Sequence, residues 1–242
     1  MDPQTAVQKN GTEETLLKQR INRRKFLFFT GTAAASAAFI TACSKEDGAP
    51  GNNNNDGVDL GSDDIGILNY AYALEQLEAA FYIQVMATPY ASMPALEAEY
   101  LKDIRDHEVA HREFFAAALG SAKIPNLEVD FSSINFSSRD SVLGTAKAFE
   151  DLGVAAYNGA GKLLKSADYL LLAGKIVSVE ARHAALIRDL ISNGSFADLN
   201  SLTALGANNT NALDAALNPP EVLAIAGTYV KTKINASNLP TS

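Results

Sequence analysis

Four long segments of the chain carry apolar residues at the three- and four-residue spacing of an amphipathic α-helix. The pattern predicts helices over about 63–87, 94–119, 139–165 and 168–193. In each segment the apolar residues form one stripe, which a helix would bury against its neighbours. Four helices with one buried stripe each predict an all-α fold, in which the stripes meet along a common core.

Residues at the ends of these segments are typical of helix boundaries. Ser62 and Ser138 precede the first and third segments, and Asp168 opens the fourth, where a polar side chain can accept a backbone hydrogen bond. Gly120 and Gly194 follow the second and fourth segments, where glycine commonly ends a helix. These boundaries support four separate helices.

Six polar residues interrupt the apolar stripes at positions that face the predicted core. They are Glu75, Glu108, His111, Glu150, Glu180 and His183. Two of the glutamates precede a histidine by three residues, which puts both side chains on one face of a helix, one turn apart. Burying four carboxylates together is prohibitively unfavourable without compensation. Two divalent cations would neutralise the four negative charges, so the pattern predicts a site for two metal ions.

The connections between the segments predict how the helices are arranged. Antiparallel helices that hold ligands at one height should turn midway between those ligands, and turn residues occur there, at 89–94 and 165–168. The stretch 121–137 is polar and long enough to return along the bundle. We therefore predict a four-helix bundle of two antiparallel hairpins joined by one long crossover. Both halves repeat their polar residues in the same order, which indicates an old duplication.

The composition limits both the ligands and the partners. The only cysteine is Cys43, so disulfides and thiolate ligands are excluded from the rest of the chain, and a metal site there must use oxygen and imidazole. The formal net charge is −8, and the basic residues form no stripe after the N-terminal segment. Nucleic-acid recognition is therefore excluded.

The N-terminus has the features of a targeting segment, which we separate from the fold. Arg23 and Arg24 precede a short apolar run that ends at Cys43, so residues 1–43 resemble a twin-arginine export signal with a lipoprotein cleavage site. The alternative is an ordinary secretory signal with a passive cysteine. We expect a periplasmic or cell-surface protein that contacts the membrane through lipidated Cys43. Residues 44–61 are expected to form a flexible tether.

A lone Glu and a Glu-x-x-His on one pair of helices, repeated on the next pair, resemble the ferritin-like superfamily of di-iron and di-manganese carboxylate proteins. The resemblance covers residues 62–194, and the segment 74–82 is most similar to exported bacterial ferritin-like domain proteins. It implies two Fe or Mn ions per chain, with Glu108 and Glu180 as candidate bridging ligands. By this resemblance, one ion would be held by Glu75, Glu108 and His111, and the other by Glu150, Glu180 and His183.

Four residues near the predicted ligands have more than one interpretation. Glu78 lies one turn beyond Glu75 and is a seventh metal ligand, a hydrogen-bond acceptor for a ligand histidine, or a charge that faces water. His107 points off the stripe and is expected on the surface or beside a ligand. Tyr82 and Tyr157 either pack in the core with a hydrogen bond or take part in redox chemistry beside the metals.

The resemblance implies an oxidoreductase that consumes O2 or peroxide, either as an Fe(II) oxidase or as a manganese-catalase-like enzyme. Two alternatives stay open at this point. One is a metal-binding or storage protein without turnover, and the other is a structural or stress-related bundle with a vestigial site. Residues 195–242 are expected to form short C-terminal helices that pack on the end of the bundle.

Overall fold

The computed structural model of the protein describes residues 57–241, which are mostly helical. Within these residues the α-helices are α1 (Asp63–Ala87), α2 (Ala95–Leu119), α3 (Arg139–Gly161), α4 (Ala167–Ile191) and α5 (Pro219–Ala226). The predicted all-α class and the four long helices are confirmed. The predicted signal, residues 1–43, and the tether up to residue 56 lie outside the described residues. Among the described helices, none is both long and apolar enough to cross a membrane.

The four long helices pack as two hairpins, α1 with α2 and α3 with α4, as predicted. The core between the hairpins contains Leu101, Leu143 and Ile187, one each from α2, α3 and α4, and all three are almost completely buried. Each such side chain contributes roughly 1.5–3 kcal/mol to folding by leaving water. The stripes that define the helices in the sequence therefore also hold the bundle together.

The observed helix ends differ from the predictions at the turn between α3 and α4. α3 ends at Gly161 rather than near residue 165. Asp64 of α1 accepts hydrogen bonds from the backbone N–H groups of Lys165 and Ser166, which holds this segment in a non-helical turn. Ser166, not the predicted Asp168, is the N-cap of α4, and its side chain accepts a backbone hydrogen bond from the first turn.

The other two predicted N-caps have different outcomes. The side chain of Ser138 accepts a hydrogen bond from the backbone N–H of Ser141 and caps α3 as predicted. Ser62 occupies the N-cap position of α1, but its side chain makes no capping hydrogen bond. The sequence therefore located both helix starts, although only one of them uses the expected hydrogen bond.

The crossover between α2 and α3 is attached to α1 by two buried amide side chains. Asn69 donates to the carbonyl of Ala122 at 3.0 Å and accepts from the N–H of Ile124 at 3.0 Å. Two turns further along α1, Gln76 accepts from the N–H of Leu127 at 2.8 Å. These bonds satisfy backbone groups that lie outside regular structure, so the long connection runs along α1 at a fixed position.

The two ends of the described chain pair with each other. The short strand β1 (Val58–Asp59) is parallel to β2 (Ile234–Asn235), so the last residues of the predicted tether belong to the fold. Leu60, which follows β1, is fully buried. The C-terminal region also contains 3-10 helical turns at Leu199–Leu205 and Asn209–Asn211.

The C-terminal segment covers the side of α3 instead of the end of the bundle, where it was predicted. The N–H of Leu217 donates to the carbonyl of Ala155 in the middle of α3. α5 then packs on α3, and the ring of Tyr229 meets that of Phe149 edge to face, with ring centroids 4.8 Å apart. The region from Leu217 to Tyr229 therefore shields the bundle at mid-height.

The contact between α3 and the C-terminal segment depends on a glycine. A Cβ atom at Gly159 would lie 1.7 Å from the carbonyl oxygen of Leu217. We expect Gly159→Ala to displace this segment and to lower the free energy of unfolding by about 1–3 kcal/mol, measured by chemical denaturation. Gly144→Ala is the matched control on the same helix, because nothing lies within 4 Å of its Cβ position. The control should raise the free energy by roughly 0.5–1 kcal/mol, and an equal effect of both changes would contradict the proposed close contact.

Candidate metal centre

All four bundle helices contribute to a cluster of acidic and imidazole side chains in the core. α1 and α3 contribute one glutamate each, and α2 and α4 contribute a glutamate and a histidine each. They are the six predicted residues, Glu75, Glu108, His111, Glu150, Glu180 and His183. The four glutamates are 0% exposed, and the His183 and His111 side chains are 5% and 14% exposed. The structure therefore brings the whole predicted set together.

The first group of ligand atoms surrounds Nδ1 of His111. This atom lies 3.0 Å from Oε1 of Glu180, 3.4 Å from Oε2 of Glu75 and 3.7 Å from Oε2 of Glu108. One ligand atom from each of these four residues lies within 4.8 Å of the others. Three carboxylate oxygens and one imidazole nitrogen thus face a common position.

The second group surrounds Nδ1 of His183 in the same way. This atom lies 2.9 Å from Oε1 of Glu108, 3.3 Å from Oε2 of Glu150 and 3.5 Å from Oε2 of Glu180. These four residues also offer ligand atoms within 4.8 Å of one another. Glu108 and Glu180 belong to both groups, and each directs one oxygen to each histidine. The two positions therefore share two carboxylates, in the manner of bridging ligands.

The atoms that face the two positions have no hydrogen-bond partners in the described part of the chain. Both Nδ1 atoms, both oxygens of Glu108 and Glu180, and Oε2 of Glu75 and Glu150 are buried and unsatisfied. Buried polar atoms are normally hydrogen-bonded, and a group of eight without partners needs an explanation. Oxygen and imidazole ligands suit iron and manganese, so the residues present fit a pair of such ions.

The remaining oxygens of the two unshared glutamates are held by tyrosines from the opposite hairpin. The hydroxyl of Tyr82 on α1 donates to Oε1 of Glu150 on α3. The hydroxyl of Tyr157 on α3 donates to Oε1 of Glu75 on α1. Each tyrosine thereby leaves the second oxygen of its glutamate facing the ligand position. Both tyrosines lie beside predicted ligands, as the sequence suggested, and a redox role for them stays a prediction.

Two buried acids outside the cluster, Asp151 and Glu97, are neutralised by arginine, whereas the cluster is not. Arg188 makes two hydrogen bonds to Asp151, at 2.6 and 2.8 Å, and Arg139 pairs with Glu97 at 2.8 Å. Across residues 57–241, no recorded ion pair joins a lysine or arginine to the six cluster residues. The chain thus pairs these two buried carboxylates internally and leaves the central ones for an external cation.

In the metal-free protein, bound protons compensate the charge of the cluster. Burial lowers the pKa of both histidines, but the surrounding carboxylates outweigh burial and raise the pKa of His111 and His183 to about 12. Burial raises the pKa of Glu150 to about 8 and that of Glu75 well above its ordinary value. Burial also opposes ionisation of Glu108, yet the two histidines lower its pKa to about 2. Divalent cations would take the place of these protons.

Glu78 is buried beside the cluster, in space that is free because Gly153 has no side chain. A Cβ atom at Gly153 would lie 3.1 Å from Oε1 of Glu78 and 3.8 Å from Oε2 of Glu180. Burial, together with the neighbouring carboxylates, raises the pKa of Glu78 well above its ordinary value. Burial excludes the interpretation of Glu78 as a charge facing water. Glu78 belongs to neither group of ligand atoms. Its role as a seventh ligand or as a hydrogen-bond acceptor for a ligand histidine stays a prediction.

The sequence left open whether His107 lies on the surface or beside a ligand. Its side chain stacks on the ring of His183, with centroids 5.1 Å apart and planes 14° from parallel. Its Nδ1 lies 2.9 Å from Nε2 of His183, so the two rings share a hydrogen bond. A partner on the outer nitrogen orients a metal-binding imidazole and keeps Nδ1 directed inward. The only signal in the sequence is its position directly before Glu108.

Metal binding at this centre should release protons, because both histidines must lose theirs before Nδ1 can bind an ion. At neutral pH we expect about two or more protons to leave per chain on saturation with Mn(II). Affinity should rise as pH increases and fall as pH decreases. Titration calorimetry in buffers of different ionisation enthalpy would measure the released protons. Uptake without proton release, with affinity unchanged between about pH 6 and 8, would show that the ions bind elsewhere.

A comparison with known protein families matches residues 63–193, more than half of the chain, to the family described as "Ferritin-like domain". Among curated proteins, the sequence comparison finds no match. The matched residues run from the start of α1 to just beyond the end of α4, so they contain every residue of the cluster. The chain belongs to the ferritin-like domain family.

Proposed function

We propose that the protein binds two iron or manganese ions between its four helices and uses them to react with O2 or peroxide. The observation that carries this proposal is the division of eight unpaired buried ligand atoms into two groups that share Glu108 and Glu180. A storage protein needs sites that exchange ions with water, whereas these positions lie in the core. Burial with two shared carboxylates favours a retained pair of ions that cycles between oxidation states.

The chemistry that such ions supply when bound is electron transfer, with two Fe(II) giving one electron each and two protons taken up as O2 becomes hydrogen peroxide. The residues of this chain would hold the ions and would bind and release the protons. Tyr82 and Tyr157 keep a proton between phenol and carboxylate, because burial raises the pKa of both hydroxyls well above their ordinary value. Glu78 offers a buried carboxyl on the side of Gly153, and burial together with the neighbouring carboxylates raises its pKa well above its ordinary value.

The surrounding structure supports such chemistry by limiting access of water. The segment from Leu217 to Tyr229 covers the side of α3, and Phe81 and Phe149 pack edge to face at 5.1 Å beside Tyr82. A low-dielectric surrounding strengthens the attraction between cations and carboxylates. The more open side faces His107, which is exposed and lies against His183.

The function is tested with purified protein that is loaded anaerobically with Fe(II) or Mn(II). We expect about two ions per chain by elemental analysis and an optical change when O2 or peroxide is added. The double change Glu108→Ala and Glu180→Ala should abolish both, because it removes the two shared carboxylates. Glu113→Ala is the matched control on α2, since the Glu113 side chain is 63% exposed and its partner among the described residues is Arg112.

The possible results separate the candidate functions. Two ions without any reaction toward O2 or peroxide would favour binding or storage without turnover. Wild-type protein that binds no metal would favour a structural bundle with a vestigial site. Equal metal content in wild type and the Glu108/Glu180 variant, with the same helical circular dichroism, would place the ions outside the cluster and refute the proposal.

We also propose that the protein is exported and anchored by a lipid on Cys43. Arg23 and Arg24, followed by an apolar run that ends at this cysteine, support the proposal. In bacteria that express the full chain, labelled palmitate should be incorporated into wild type and not into Cys43→Ala. Arg23→Lys combined with Arg24→Lys should retain the protein in the cytoplasm. Export of the double lysine variant at the wild-type level would exclude the twin-arginine route.

A further inference from the structure

An apolar cavity of about 40 Å³ lies among the four bundle helices, between the cluster and the end of the bundle where α3 turns into α4. Each of these four helices contributes to its wall, and among residues 57–241 no charged side chain lines it. Representative lining residues are Leu74, Phe115, Ala156, Tyr157, Ala160 and Leu172. A close-packed core seldom leaves a space larger than one water molecule, so a cavity of this size beside a reactive centre calls for an occupant.

The side chain of Tyr157 connects the cavity to the cluster. Tyr157 contributes to the cavity wall, and its hydroxyl donates a hydrogen bond to Glu75. Leu74, another lining residue, directly precedes Glu75 on α1. A molecule in the cavity is therefore separated from a predicted metal ligand by one phenol ring.

The opposite side of the cavity leads outward between α2 and α4. Ala118 of α2 is exposed, and Phe114 of α2 and Leu172 of α4 are only partly buried, yet all three line the cavity. The path from solvent to Tyr157 thus passes apolar side chains along its whole length. A small apolar molecule loses nothing on this path, whereas a polar one gives up its hydrogen bonds with water.

The chemistry of the walls discriminates between the two oxidants of the proposed function. Apolar cavities of this kind stay dry and accept apolar gases such as xenon. Hydrogen peroxide has two donor groups and several lone pairs, and it would find few partners here. The hydroxyl of Tyr157 is already bonded to Glu75, and Tyr70 offers one buried hydroxyl without a partner. Molecular oxygen needs no hydrogen bond, so the apolar walls do not disfavour it.

We propose that this cavity admits and holds molecular oxygen for the metal centre, so that O2, not peroxide, is the oxidant that reaches the ions by this route. The inference rests on the proposed function, since it assigns one of its two oxidants a binding place. An apolar gas should occupy the cavity whether or not metal is bound.

The first experiment uses xenon as a probe of the cavity. Crystals of the purified protein under xenon pressure should show a xenon atom bordered by Leu74, Tyr157 and Ala160. Ala160→Leu places a larger side chain in the wall and should remove this atom. Ala117→Leu is the control, because Ala117 is exposed on α2 and does not line the cavity. Absence of xenon from the wild-type cavity would overturn the proposal.

The second experiment compares the two oxidants on the reduced, metal-loaded protein by stopped flow. Ala160→Leu should slow the reaction with O2 by about tenfold or more and leave the peroxide reaction and metal content unchanged. Ala118→Leu narrows the outer opening and tests the same route should the buried change impair folding. Ala117→Leu should behave as wild type.

The outcomes distinguish failure of this inference from failure of the proposed function. An unchanged O2 rate in both cavity variants, or equal slowing of the O2 and peroxide reactions, would refute the oxygen route while leaving the metal centre intact. Wild-type protein that binds no metal, or reacts with neither oxidant, would refute the proposed function. In that case the xenon result alone would decide whether the cavity takes an apolar gas.

Discussion

The rest of this structure depends on four carboxylates in the middle of a helical bundle that pair with no lysine or arginine of the described residues. Glu75, Glu108, Glu150 and Glu180 are completely buried, and the only basic groups recorded beside them in the described residues are two histidines. Elsewhere the same chain neutralises buried acids with arginine, as at Asp151. The difference indicates that the central charges are compensated by something that is not part of the chain.

Several other elements of the fold follow from that requirement. Tyr82 and Tyr157 cross between the hairpins and each occupy one oxygen of a glutamate, so the free oxygen faces inward. His107 lies against His183 and holds the outer nitrogen of that ring. Gly153 leaves room for a fifth buried carboxyl, that of Glu78. Each of these contacts fixes the direction of a side chain whose charge is otherwise unsatisfied.

The sequence predicted the helices, their pairing and the six central residues because helical periodicity records which face is buried. A polar residue on a buried face stands out in that pattern, as Glu108 and His111 do. What could not be predicted depends on long-range packing. The side chain of Asp64 shortens α3 by binding the following turn, and no local signal at residues 162–165 shows this.

The position of the C-terminal segment also could not be predicted from the sequence, because it depends on long-range packing. Its contact with α3 is made by backbone atoms of Leu217 against Gly159, which neither periodicity nor charge records. The apolar cavity is also invisible in the sequence, because its lining residues come from four helices and differ in no way from ordinary core residues. Sequence patterns therefore located the candidate metal ligands. Tertiary contacts determine which cavity adjoins them and which segment covers them.

Anomalous diffraction from crystals of protein loaded with Mn(II) tests the central claim most directly, because it locates the ions without reference to activity. Two anomalous peaks roughly 3.5–4 Å apart, one beside Nδ1 of His111 and one beside Nδ1 of His183, are the predicted result. Both peaks should lie between the carboxylates of Glu108 and Glu180. Crystals of the loaded protein without a peak among these side chains, or with arginine or lysine side chains turned in to pair with the glutamates, would contradict the account.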